Sequence, residues 1–165
     1  MQTIAKTLKL VTSLVFILLG FDSYAQKLNM GDLLKAYTLD SISLKKFLYE
    51  KNFHKGTARD DDPYRVGYTY YADTVANVSI DRTFPKLNQK LVFLYYHFFD
   101  QAEYKDLKKS IKANGFKYKG SYKAFPDVPT ISDYREQYTN DNFKIELSTS
   151  RLGRDKKFVL MIMPE

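Results

Sequence analysis

The chain has 165 residues, 44% of them hydrophobic and 27% charged, which fits one globular domain and excludes a disordered chain. The absence of cysteine excludes disulfides, Cys-based zinc and iron–sulfur sites, cysteine nucleophiles and a lipid-modified cysteine, while five prolines and seven glycines exclude a collagen-like or Pro-rich linker protein. The net charge is +7, and only two histidines, His54 and His97, are available for metal or acid–base chemistry.

The N-terminus reads as an address. Lys6 and Lys9 precede the apolar run Leu10–Phe21, and the small residues Ser23 and Ala25 match a signal-peptidase site, with cleavage expected after Ala25. The run is too short to span a bilayer as a helix. Residues 1–25 are therefore expected to be a signal peptide and 26–165 a single domain, secreted or periplasmic. Loss of Lys6, Lys9 and Asp22 with the leader still leaves a basic chain. In a cytosolic protein such a balance would suggest nucleic acid. Outside the cytosol it points instead to anionic lipid headgroups, acidic polymers or acidic proteins, and no nucleic-acid partner is expected.

Met30, Leu33, Leu34 and Tyr37 fall at helical spacing within 29–38. A second helix carries Leu44, Phe47 and Leu48, with Ser41 or Ser43 as its cap, and stops near Asn52, where Phe53 folds back. A polar loop containing Asp60, Asp61 and Asp62 follows. It lacks the spacing of a calcium loop and reads as an exposed charged turn. Strand patterns follow at Tyr64–Ala72, Asn77–Phe84 and Lys90–Phe99, the last apolar on both sides. Asp100 with Glu103 resembles a capping box for a third helix, whose core stripe is Tyr104, Leu107 and Ile111 and whose stop is Gly115-Phe116. Strands are then expected at Ser132–Thr139, at Asn142–Thr149 with Phe143, Ile145 and Leu147 on one side, and at Lys157–Met163, with a hairpin turn at Leu152–Asp155.

These elements predict an α+β fold. About six antiparallel strands carry helices packed on one face, as a tandem α-β-β-β repeat with halves about 39–99 and 100–165. The helix stops align: Leu44 with Leu107, Leu48 with Ile111, Asn52 with Gly115 and Phe53 with Phe116. On that element order and those stop residues, the architecture resembles small secreted bacterial proteins of the β-lactamase-inhibitor-like group over most of the chain after the leader. The resemblance implies the fold and mildly favours an inhibitor or immunity-type role. No functional residue is carried across from it.

Two features suggest surfaces. In the third strand of each half, alternate residues Val92, Leu94, Tyr96, Phe98, Met161 and Met163 are expected on the open sheet face as a contact site for a protein partner. Lys105, Lys108, Lys109 and Lys112 share one face of the third helix and offer an anion-binding stripe for an envelope surface. Fourteen tyrosines and no tryptophan suit sheet-forming and peptide or sugar contact alike. The sequon Asn77-Val-Ser79 lies within a strand pattern, and such triplets are common. No metal or nucleophile motif and no phosphate loop occurs, so no cofactor is expected. The sequence therefore predicts a non-enzymatic binding module. The alternatives are an envelope accessory protein held by its basic helices and a hydrolase using His97 with a nearby carboxylate.

Overall fold

The computed structural model describes residues 27–59, 65–72, 78–85, 91–124, 133–152 and 155–165. The leader, the Asp60–Asp62 cluster and Asn77 of the sequon lie outside them. Helix α1 (Met30–Thr38) is closed by a capping box between Asn29 and Asp32. Helix α2 (Ser41–Glu50) is capped by Asp40, not by Ser41 or Ser43. The Asp40 carboxylate accepts from the Ile42 and Ser43 amides at 2.9 and 3.0 Å, and a charged acceptor suits the positive end of a helix. Helix α3 (Gln101–Ala113) starts on Asp100, which accepts from the Ala102 amide at 2.7 Å. Glu103 does not complete the expected capping box. It turns inward, is buried, and accepts from the Tyr96 hydroxyl.

The strands are β1 (Phe53–Arg59), β2 (Arg65–Ala72), β3 (Ser79–Pro85), β4 (Phe93–Phe98), β5 (Lys117–Lys123), β6 (Asp133–Thr139), β7 (Phe143–Leu152) and β8 (Asp155–Pro164). They form one antiparallel sheet in the order β1-β2-β3-β4-β8-β7-β6-β5. The sheet has eight strands rather than the six expected, and each half carries four strands rather than three. The two extra strands, β1 and β5, are its edges. Both carry Lys-Gly followed by a hydroxyl residue, Lys55-Gly56-Thr57 and Lys119-Gly120-Ser121, and both have a register irregularity there. Lysine and an irregular register at an edge hinder pairing with another chain, and they also erase the alternation that marks a strand.

The helices cover one face. Leu44, Leu48, Leu107 and Ile111 meet Tyr70, Ile80, Leu94, Tyr96, Phe98, Ile145, Leu147, Phe158, Leu160 and Ile162, all within one buried cluster. Helix α1 lies over the seam between the halves. Its Met30 amide donates to Ser110 Oγ at 3.3 Å, and the Tyr37 hydroxyl donates to the Val92 carbonyl at 3.2 Å. The Tyr37 ring also meets Phe143 edge-on at 5.2 Å. None of the described helices is long and apolar enough to cross a membrane.

The halves share more than helix stops. The Ala72 amide on the Val78 carbonyl and the Asn140 amide on the Phe143 carbonyl, both at 3.0 Å, join equivalent strands. Counting from those bonds places Tyr70 with Tyr138, Ile80 with Ile145 and Asp81 with Glu146. Tyr95 and Met161 then face each other at the centre of the sheet.

The helix ends show why the stop residues matter. Asn52 has φ +59° and Gly115 φ +81°. The Phe116 amide returns to the Ile111 carbonyl at 3.3 Å, a Schellman closure, and Phe53 and Phe116 are both buried. A Cβ at Gly115 meets no atom within 4 Å, so only the backbone conformation opposes it. Gly115→Ala is expected to cost about 1 kcal/mol in urea denaturation.

Candidate functional site

The face of the sheet turned away from the helices is built from rungs, one residue from each strand. The central rung runs Gln137, Glu146, Met161, Tyr95, Asp81, Thr69. On one side of it lies Arg135, Ser148, Val159, His97, Ser79, and beyond that Asp133, Ser150, Lys157. On the other lies Thr139, Lys144, Met163, with Phe93 and Thr83 across the seam. Over β6, β7, β8 and β4 this face opens as a cleft of about 510 Å³, lined by Phe93, Tyr95, His97, Arg135, Glu146 and Met161 among others.

The face assignment expected from the sequence is corrected here. Leu94, Tyr96 and Phe98 point at the helices and are at most 1% exposed. They pair directly with Ile162, Leu160 and Phe158, so these six residues form the seam's core. Met161 lines the cleft, while Met163, on the same face, and Val92, just before β4, are half-buried. Both strands are apolar on both sides, so alternation alone leaves their relative phase undetermined. A one-residue difference in phase exchanges the faces. Nor is the open face uniformly apolar. Phe93, Tyr95, Val159 and Met161 form a strip on β4 and β8, and polar groups flank it on both sides.

Glu146 organises the flank on β7. It accepts from Gln137 Nε2 at 2.9 Å and from the Tyr122 hydroxyl at 3.3 Å, and it pairs with Lys144 at 3.3 Å and Arg135 at 3.4 Å. Burial by itself would raise its carboxyl, but Gln137, Lys144 and Arg135 outweigh burial and hold it below the usual range. Arg135 also reaches Asp133 at 3.2 Å, so one guanidinium spans two carboxylates. On β3, across the strip, Asp81 meets His97 Nε2 at 3.0 Å, and the Tyr95 ring stacks beside the imidazole. Asp81 and Glu146 are thus equivalent buried acids on one rung, separated by Met161 and Tyr95, each carrying a basic partner.

The expected lysine stripe divides. Lys108 pairs with Glu136 at 2.8 Å and lies over the Tyr104 ring, and Lys109 meets Asp106 at 3.4 Å. Lys105 and Lys112 are exposed. His54 is exposed beside the Tyr49 ring and lies apart from the cleft. Among the described residues no cluster of three or more His, Asp or Glu is placed to hold a metal ion.

Sequence reasoning missed Arg135, Asp81 and Tyr95. Glu146 and Ser148 were legible as the outward side of an alternating strand, but nothing local marks which cations meet which acids. Compared with protein-family models, curated proteins and solved structures, the chain gives no significant match.

Proposed function

We propose that the protein is an exported, non-catalytic binding module that engages a macromolecular partner through the open face of its sheet. The observation that carries this reading is the cleft, an apolar strip flanked by charged side chains already held by one another. A network fixed before contact loses little conformational freedom on binding. The leader-like N-terminus supports export.

Two observations favour binding over hydrolysis. His97 Nδ1, the ring nitrogen not facing Asp81, is buried and has no hydrogen-bond partner among the described residues. The Ser148 hydroxyl, two positions along the same rung, donates to the Val159 carbonyl at 3.3 Å. A general base needs its free nitrogen within reach of a nucleophile or water.

The test replaces the two residues at the centre of the strip. Tyr95→Asp with Met161→Asp is expected to abolish affinity capture of the partner from envelope extract. The far-ultraviolet circular dichroism should stay native, because neither side chain packs under the helices. Retention of the same captured partners by the double variant would refute the open-face reading.

A further inference from the structure

We infer that the cleft takes an uncharged carbohydrate chain, an inference that rests on the open face being the binding surface. Charge is the first argument. The chain as a whole is strongly basic, yet in the cleft Arg135 and Lys157 stand with Asp133 and Glu146, and His97 stands on Asp81. An anionic ligand would meet Asp133 and Glu146, and a cationic one would meet Arg135 and Lys157. The lining carries two cations and two carboxylates, so a ligand without net charge requires no countercharge from it.

The second argument separates sugar from polypeptide. The centre of a protein–protein interface is depleted in charged residues. Here the centre of the face carries buried charged pairs, with Glu146 7% and Asp81 3% exposed. A sugar hydroxyl both donates and accepts, so it can bridge a guanidinium N–H and a carboxylate oxygen without bringing a countercharge. The groups of this kind that line the cleft are the Arg135 guanidinium, about one-third exposed, and the Ser148 and Ser150 hydroxyls.

Shape is the third. Ser148 and Ser150 are small, and they succeed each other on β7 between Asp133 and Arg135 on β6 and Lys157 and Val159 on β8. They leave a trough floored with hydroxyls, which runs on to Met161, Tyr95 and Phe93, where the apolar face of a sugar ring can rest. The volume of about 510 Å³ is in the range of specific ligand sites.

The experiment presents the protein with an array of neutral glycans, polygalacturonate as an acidic glycan, a displayed random-peptide library and phosphatidylglycerol vesicles. The strongest neutral oligosaccharide is then titrated by calorimetry. The expected result is a Kd of about 0.1–1 mM. Tyr95→Ala, which removes the ring, and Ser150→Leu, which fills the trough, should each weaken it about tenfold or more. Raising salt from roughly 50 to 500 mM should change it less than about twofold. Circular dichroism verifies that both variants are folded.

Absence of any neutral glycan whose binding responds to these variants overturns the inference. Peptides or polygalacturonate that bind wild type and are lost in the same variants also overturn it, and leave the open-face reading standing. If every ligand found, vesicles included, is held equally by wild type and both variants, the inference and the open-face reading are overturned together.

Discussion

Tyr96→Asp is expected to unfold the domain. Tyr96 is 1% exposed, lies between Ile80 and Leu160 in register, and stacks on Phe98 with ring centres 5.2 Å apart. Removing a buried aromatic side chain costs about 3–5 kcal/mol, and a buried carboxylate in its place adds several more. That sum is comparable with the whole stability of a typical domain, about 5–15 kcal/mol. Far-ultraviolet circular dichroism and urea titration measure it. Native signal in this variant would place the side chain outside the core and reverse the face assignment.

Tyr96→Phe isolates the hydroxyl. It keeps the ring but leaves the buried Glu103 carboxyl without its donor, at an expected cost of about 1–3 kcal/mol. The pH dependence has a definite sign. Burial raises the Glu103 carboxyl above its ordinary value, and the Tyr96 bond partly opposes that rise. A raised acid favours the protonated folded state, so its contribution is most favourable at low pH and falls as pH rises through the folded value. Without Tyr96 the rise is larger, so the variant should lose more stability at neutral pH than in acid.

Glu146→Ala tests the opposite sign. The substitution removes the carboxylate paired with Lys144, one of the two that Arg135 spans, and the acceptor used by Gln137 and Tyr122. Breaking a buried pair from one side costs about 3–5 kcal/mol. Because Arg135 and Lys144 are each about one-third exposed, roughly 2–3 kcal/mol is expected. The Glu146 carboxyl is held below its usual range, so its stabilisation is complete above the unfolded value, about 4.3, and disappears as pH falls through the folded one. Urea titrations at a series of pH values should show wild type and variant converging in acid and separating to a constant gap near neutrality. A gap that persists unchanged into acid would mean that Glu146 acts by packing alone.

The interior elements were readable because their signals are local. Leu44, Phe47 and Leu48 mark α2, Leu107 and Ile111 mark α3, and Phe143, Ile145 and Leu147 alternate along β7. The stops at Asn52 and Gly115 were readable because a left-handed residue must be one that tolerates it. The edges β1 and β5 were not. A mostly exposed strand such as Lys-Tyr-Lys-Gly-Ser-Tyr-Lys buries neither side, and its irregular register falls between its two tyrosines. The cleft was least legible of all. Asp81 and His97 come from β3 and β4, Arg135 and Glu146 from β6 and β7, and only the pairing of β4 with β8 brings the two clusters onto one surface. Local pattern carries no record of that long-range pairing, and its phase is what decided whether Tyr95 or Tyr96 faced solvent.

The seam between β4 and β8 has a kinetic consequence. Strand β4 meets β3 soon after both are synthesised, but β8 follows all other strands, roughly sixty residues later. Until it arrives, the far edge of β4, whose partners are Phe158, Leu160 and Ile162, is unpaired beside a nascent half-sheet. Closing this gap requires a large loop to be drawn in before any contact rewards it, so zipping of β8 onto β4 is expected to be a slow step of folding. Misassembly would begin from that same waiting edge, by capture of the β8 strand of a neighbouring molecule.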